Sequence, residues 1–157
     1  MLKTMKNLVC LLIYVLIFGL VVNPTNASGA DAIKVKALLV WGTDTEVPNA
    51  SNLKPLPKDL SEKLKMFKWK YYFQVCDPDY PSKELLITKD KAETITLSKK
   101  CEIQVKYIGD STIEVKLFGE KKLVLIKKQA LQEGAHLVLA GEDKNDTAWF
   151  VIIGRLK

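Results

Sequence analysis

The chain has 157 residues, 24 basic and 18 acidic side chains, and a formal net charge of +6. That excess is spread thinly and lacks the concentrated basic footprint of a nucleic-acid binder, while a chain of this length is enough for one domain with a real core. The first thirty residues then account for part of the charge.

Lys3 and Lys6 precede an apolar run, Leu8 to Val22, which the polar stretch Asn23 to Ala30 ends. Positive, apolar, then small and polar is the order of a secretory signal peptide. A bilayer-spanning helix needs roughly 20 apolar residues, more than this run supplies, and Gly19 and Pro24 weaken or end a helix there. Ser28 and Ala30 are small residues placed for cleavage before Asp31, so residues 1–30 are expected to be a leader and residues 31–157 a single β-rich globular domain. Cys10 follows Leu8 and Val9, where a lipid-attachment cysteine would want a small residue. Removing the two leader lysines leaves 22 basic against 18 acidic residues, a net charge of +4, which suits weak attraction to anionic surfaces.

Ile33 to Trp41 opens with alternation and becomes wholly apolar, as a strand entering a core does. Gly42 to Pro57 carries Pro48, Pro55 and Pro57 and reads as a long surface connection. Over Lys58 to Lys68, Leu60, Leu64 and Phe67 recur at helical spacing, with Asp59 or Ser61 as candidate caps. From Trp69 the period becomes two, which places Trp69, Tyr71, Phe73 and Val75 on one buried face up to the turn at Asp77 to Ser82.

Glu84 to Thr88 and Thr94 to Ser98 are short strand candidates. Ile103, Val105 and Tyr107 face Ile113, Val115 and Leu117 across a hairpin, and a three-residue Gly109-Asp110-Ser111 loop pairs Lys106 with Glu114 and Tyr107 with Ile113. Gly119-Glu120-Lys121 is the next turn and Lys122 to Lys127 the next strand. Ala135 to Ala140 and Thr147 to Ile153, apolar on both sides, belong in the middle of the structure or under the helix. The expected architecture is mainly β: a compact antiparallel β-sandwich or open barrel of about seven or eight short strands with one packed amphipathic helix.

Catalytic signals are few. His136, the only histidine, lies in an apolar strand, and no Gly-x-Ser-x-Gly sequence or glycine-rich phosphate loop accompanies it. Asp77 and Asp79 are an acidic pair, but two aspartates around a proline form turns. Glu142, Asp143, Asn145 and Asp146 put four oxygen donors in one loop; Ala148 replaces the glycine a calcium loop requires, so no metal or cofactor is assigned.

Cys76 and Cys101 remain after leader removal and are either the pair for one disulfide, worth about 3–4 kcal/mol for a loop of this size, or two separate buried thiols, since Cys101 shares the inward face with Ile103 while Cys76 alternates away from the Trp69, Tyr71, Phe73 and Val75 face. Asn49-Ala50-Ser51 and Asn145-Asp146-Thr147 are sequons, meaningful in a eukaryotic producer. These features describe an exported cell-envelope or periplasmic module that is not an enzyme. It is expected to bind a protein partner through a strand edge or the Gly42 to Pro57 loop, with Trp41, Trp69 and Tyr72 as candidate aromatic anchors. A small secreted inhibitor or ligand-binding domain is the alternative, and a hydrolase built on an acidic pair stands third.

Overall fold

The computed structural model describes residues 32–46, 50–143 and 146–157. The expected leader, its cleavage point at Ala30 and the sequon asparagines Asn49 and Asn145 lie outside the described residues.

The first strand, β1 (Ala32–Thr43), is longer than its alternating start suggests, because both of its faces and both of its edges are used. Ile33, Val35 and Ala37 enter one core, while Val40 and the half-buried Leu38 enter another on the opposite side. Along one edge β1 pairs over nine residues with the last strand, β10 (Thr147–Arg155). Its other edge is shared between two partners. Residues 32–36 pair with β4 (Glu84–Thr88), and residues 40–43 pair with β3 (Tyr71–Val75).

The proline-rich connection contains a strand that composition alone argues against, β2 (Leu53–Pro55), paired with β3 at the outside of the sheet. Pro55 is tolerated there because an outer strand needs no N–H on its free side. On the far side of β10 lies β9 (His136–Asp143). The resulting six-stranded sheet has the order β2-β3-β1-β10-β9, with β4 attached to β1. A second sheet, β5 (Glu93–Ser98), β6 (Cys101–Gly109), β7 (Thr112–Gly119) and β8 (Lys122–Ala130), runs in chain order and is antiparallel throughout. The expected antiparallel sandwich is thus present, with ten strands among the described residues and no closed barrel.

The helix α1 (Lys58–Leu64) covers the outer face of the six-stranded sheet. Leu60 and Leu64 are buried as their spacing predicts, and Phe67 joins them from beyond the helix end. The helix is shorter than expected because its last carbonyl is taken by other donors: Phe67 N–H at 2.9 Å and the Tyr72 hydroxyl at 2.8 Å both donate to Leu64 O. Neither expected cap acts as one. The chain enters the helix through Pro57, whose φ of −51° is already set for the turn, while Asp59 sits in the first turn and Ser61 Oγ donates to Lys58 O. Among the described residues no helix is long and apolar enough to cross a membrane.

The β6–β7 hairpin pairs Lys106 with Glu114 and Tyr107 with Ile113, as expected, but reaches that register differently. Asp110 and Ser111 form a two-residue turn with φ of 49° and 57°, and the register shift between Tyr107 and Gly109 absorbs Ile108 as a bulge. The bulge keeps both apolar sets inward, where a plain two-residue loop would have flipped one. Glu120 and Lys121, with φ of 48° and 66°, make the same kind of turn between β7 and β8. Of the last two strands, β10 lies inside the sheet as expected; β9 lies at its edge, its outward Val138 resting against the helix layer.

Phe150 organises the helix side. Phe67 and Tyr72 meet its ring edge-on at centroid distances of 4.9 and 5.5 Å, and Gly42 leaves it room, because a Cβ there would lie 2.8 Å from the Phe150 ring and 3.2 Å from the Trp69 indole. Replacing Gly42 by alanine is expected to lower stability by about 1–3 kcal/mol, read from the urea midpoint at unchanged slope; an unchanged midpoint would show that the two rings do not pack on this backbone.

Candidate functional site

The six-stranded sheet reaches the turns that close one end of the smaller sheet, and a cleft of about 680 Å³ opens between them. Its floor is made by neighbours in register. Trp41 on β1 is paired with Phe73 on one side and with Trp149 on the other, and Trp149 is paired with Gly141. Paired residues of adjacent strands share a face, so these side chains form one aromatic row across the sheet. Gly141 completes it by absence of a side chain: a Cβ there would fall 2.0 Å from the Trp149 ring, so only glycine lets the indole lie flat across β9. Trp41 and Trp149 line the cleft together with Leu39, Leu53 and Val75.

The roof comes from the β5–β6 and β7–β8 turns, contributing Cys101, Leu117, Phe118 and Val124. The two turns are tied together. Glu120 N–H donates to Lys100 O at 2.8 Å, Lys100 Nζ meets the Glu120 carboxylate at 3.2 Å, and Ser98 Oγ accepts from the N–H groups of Lys100 and Cys101. The Lys100–Glu120 ion pair is largely exposed and worth at most about 1 kcal/mol, so the backbone hydrogen bond and strand pairing fix the roof. Burial pushes the Cys101 thiol up to about 11, which keeps it protonated and a poor nucleophile at neutral pH.

Of the three expected anchors, only Trp41 belongs to this cleft. Trp69 is 8% exposed and belongs to the helix-side core, because β3 begins at Tyr71 and frees Trp69 from the alternation that assigned it to the Tyr71 face. Tyr72 packs on the same side, with its hydroxyl spent on Leu64 O; burial first, and Asp44 in addition, raise its pKa above the ordinary tyrosine value. The structure holds Cys76 and Cys101 as two separate free thiols, with no bridge between them. Cys76 follows the end of β3, donates its N–H to Asn52 O and lines a surface groove beside Pro78 and Pro81, whereas Cys101 opens β6 in the other sheet.

His136 begins β9, its ring stacked over Gly154, where a Cβ would come within 3.0 Å. Burial, and then Lys63, lower its pKa, with Asp59 opposing. It shares a cavity of about 190 Å³ with Asp59, Lys36 and Gln74 under the helix start, away from the aromatic cleft. Asp77 is engaged as a turn former: its carboxylate accepts from Asp79 N–H at 3.0 Å and its carbonyl from Tyr80 N–H. Among the described residues no group of three or more His, Cys, Asp or Glu side chains is placed to hold a metal ion.

The chain matches no family model, and no curated protein and no solved structure matches it.

Alkylation followed residue by residue with mass spectrometry checks the burial of the cleft roof. Cys101 is expected to react slowly with iodoacetamide near neutral pH and faster as the pH rises toward about 11; rapid labelling at neutral pH would contradict its placement.

Proposed function

We propose that the chain is an exported, non-enzymatic binding module of the cell envelope that takes an apolar side chain of a protein partner into the cleft between its sheets. The observation that carries this reading is the half-exposed pair Trp41 and Trp149, held in register on the floor of an open, mostly apolar cleft. Rigid aromatic surface next to a polar rim is the kind of site that dominates protein recognition. Filling it with one leucine-sized side chain would contribute about 1.5–3 kcal/mol.

The surroundings support a macromolecular partner. Val124, which lines the cleft, is 53% exposed and leaves apolar surface at its mouth. Lys100, Glu120 and Glu142 supply charges of both signs at the rim, which suit orientation and specificity more than raw affinity. A small apolar ligand is the second reading, favoured by the cleft's volume, which falls in the range of small-molecule sites.

Site-specific photo-crosslinking in producing cells separates the two. A benzoyl-phenylalanine at Glu120 is expected to give a discrete protein adduct that disappears in Val124→Glu, while the same probe at Thr96 gives none. No adduct at Glu120, or an equal one at Thr96, would contradict a protein partner. A small molecule released from the purified protein on denaturation would favour the second reading.

A further inference from the structure

The charge excess, thin along the sequence, gathers on one sheet of the fold. Residues 99–130, which are β6 to β8 with the turns that precede and join them, hold eight lysines against four acidic residues, an excess of +4. The rest of residues 31–157 holds fourteen basic and fourteen acidic residues and is neutral. Of the four acids, Glu120 is engaged with Lys100 at 3.2 Å and Glu114 with Lys128 at 3.1 Å. Lys121, Lys122 and Lys127 are exposed and make no ion pair among the described residues. From Lys121 to Ala130 the edge strand and its turn hold four lysines and no acidic residue.

Between the two lysine pairs the strand is aliphatic. Leu123, Val124 and Ile126 are 52%, 53% and 53% exposed, and only Leu125 packs against the core between the sheets. The exposed three are divided between the faces of β8. Leu123 is paired with Phe118 and Ile126 with Lys116, residues that alternate with core-facing Val115 and Leu117, so Leu123 and Ile126 lie on the outer face. Val124 lies on the cleft side, its methyl 3.2 Å from where a Cβ on Gly119 would stand. Lysines protect a free sheet edge from pairing, but protection gives no reason to bare aliphatic side chains between them. A protein docking on one face of β8 would leave the aliphatic residues of the other face in water, whereas a lipid interface takes up an edge from both sides.

We propose that the β8 edge docks on the surface of a bilayer containing anionic phospholipid, with Leu123 and Ile126 at the boundary of headgroups and acyl chains and Lys121, Lys122, Lys127 and Lys128 on the phosphates around them. Four residues of strand span about 13 Å, so the lysine pairs stand on either side of the apolar segment. Their long stems let the ammonium groups reach headgroup phosphates while the aliphatic side chains sit deeper. Insertion of apolar surface and attraction to anionic lipid add in such binding. A soluble polyanion would engage the lysines and leave Leu123 and Ile126 idle, and β8 carries no aromatic ring on which bases would stack. Lys121, Lys122, Leu123 and Ile126 do not line the cleft, so this surface does not rest on the protein-binding reading.

Co-sedimentation with phosphatidylcholine vesicles, with and without phosphatidylglycerol, tests it. The protein is expected to bind the anionic vesicles at low salt, to bind them less as salt rises, and not to bind pure phosphatidylcholine. Lys121→Glu with Lys122→Glu is expected to weaken binding about tenfold or more, and Leu123→Thr with Ile126→Thr about tenfold, at unchanged circular dichroism and thermal melting. Lys58→Glu with Lys70→Glu, an equal change of net charge at exposed lysines elsewhere, should bind as the unaltered protein does. Absence of binding to the anionic vesicles overturns the proposal. So does an equal loss in the Lys58 and Lys70 variant, which would show attraction by net charge alone, or unchanged binding of a folded Leu123 and Ile126 variant, which would show a site for polyanions. Should that last variant not fold, unchanged binding of Lys121→Glu with Lys122→Glu overturns it.

Discussion

Everything in this molecule hangs on the pairing of β1 with β10, two strands brought together from opposite ends of the described chain. Because both are apolar on both faces, they cannot form the wall of a simple sandwich with one wet side. One side must be covered by the second sheet and the other by something else, and α1 with its following residues is that cover. Val35, Ala37, Val151 and Ile153 serve the core between the sheets. Val40, Phe150 and Ile152 serve the core beneath the helix.

The division decides where aromatic surface is left over. On the helix side the rings are consumed, with Phe67, Trp69 and Tyr72 gathered around Phe150 and over Gly42. On the sandwich side the smaller sheet closes in turns at Ser98 to Cys101 and Gly119 to Lys122, and Trp41 and Trp149 are left only partly covered beneath them. The cleft is a consequence of one sheet outreaching the other, and the glycine beneath Trp149 keeps its floor flat.

How much of this was legible in the chain follows from the range of each interaction. Local signals carried the most: the apolar face of α1 from Leu60, Leu64 and Phe67, the pairing of Lys106 with Glu114, and the turn at Glu120-Lys121. Each depends on residues close in sequence. The bulge at Ile108 was not legible, because a bulged two-residue turn and a three-residue loop yield the same register. Trp69 was misplaced by extending a period of two beyond the strand that supports it. Trp149 drew no notice as a site residue, since its importance comes from lying beside Trp41, more than a hundred residues away. The only signal was that its alternation with Val151 and Ile153 would point it to the same core as Val35 and Ala37.

The central claim is that the six-stranded sheet is a middle layer, with Trp69 sealed on its helix side and Trp41 and Trp149 open to the cleft on the other. Acrylamide quenching of variants that each keep one tryptophan, the other two replaced by phenylalanine, measures this directly. The account predicts stronger quenching of Trp41 and of Trp149 than of Trp69; a Trp69 quenched as readily as either of the others would contradict it.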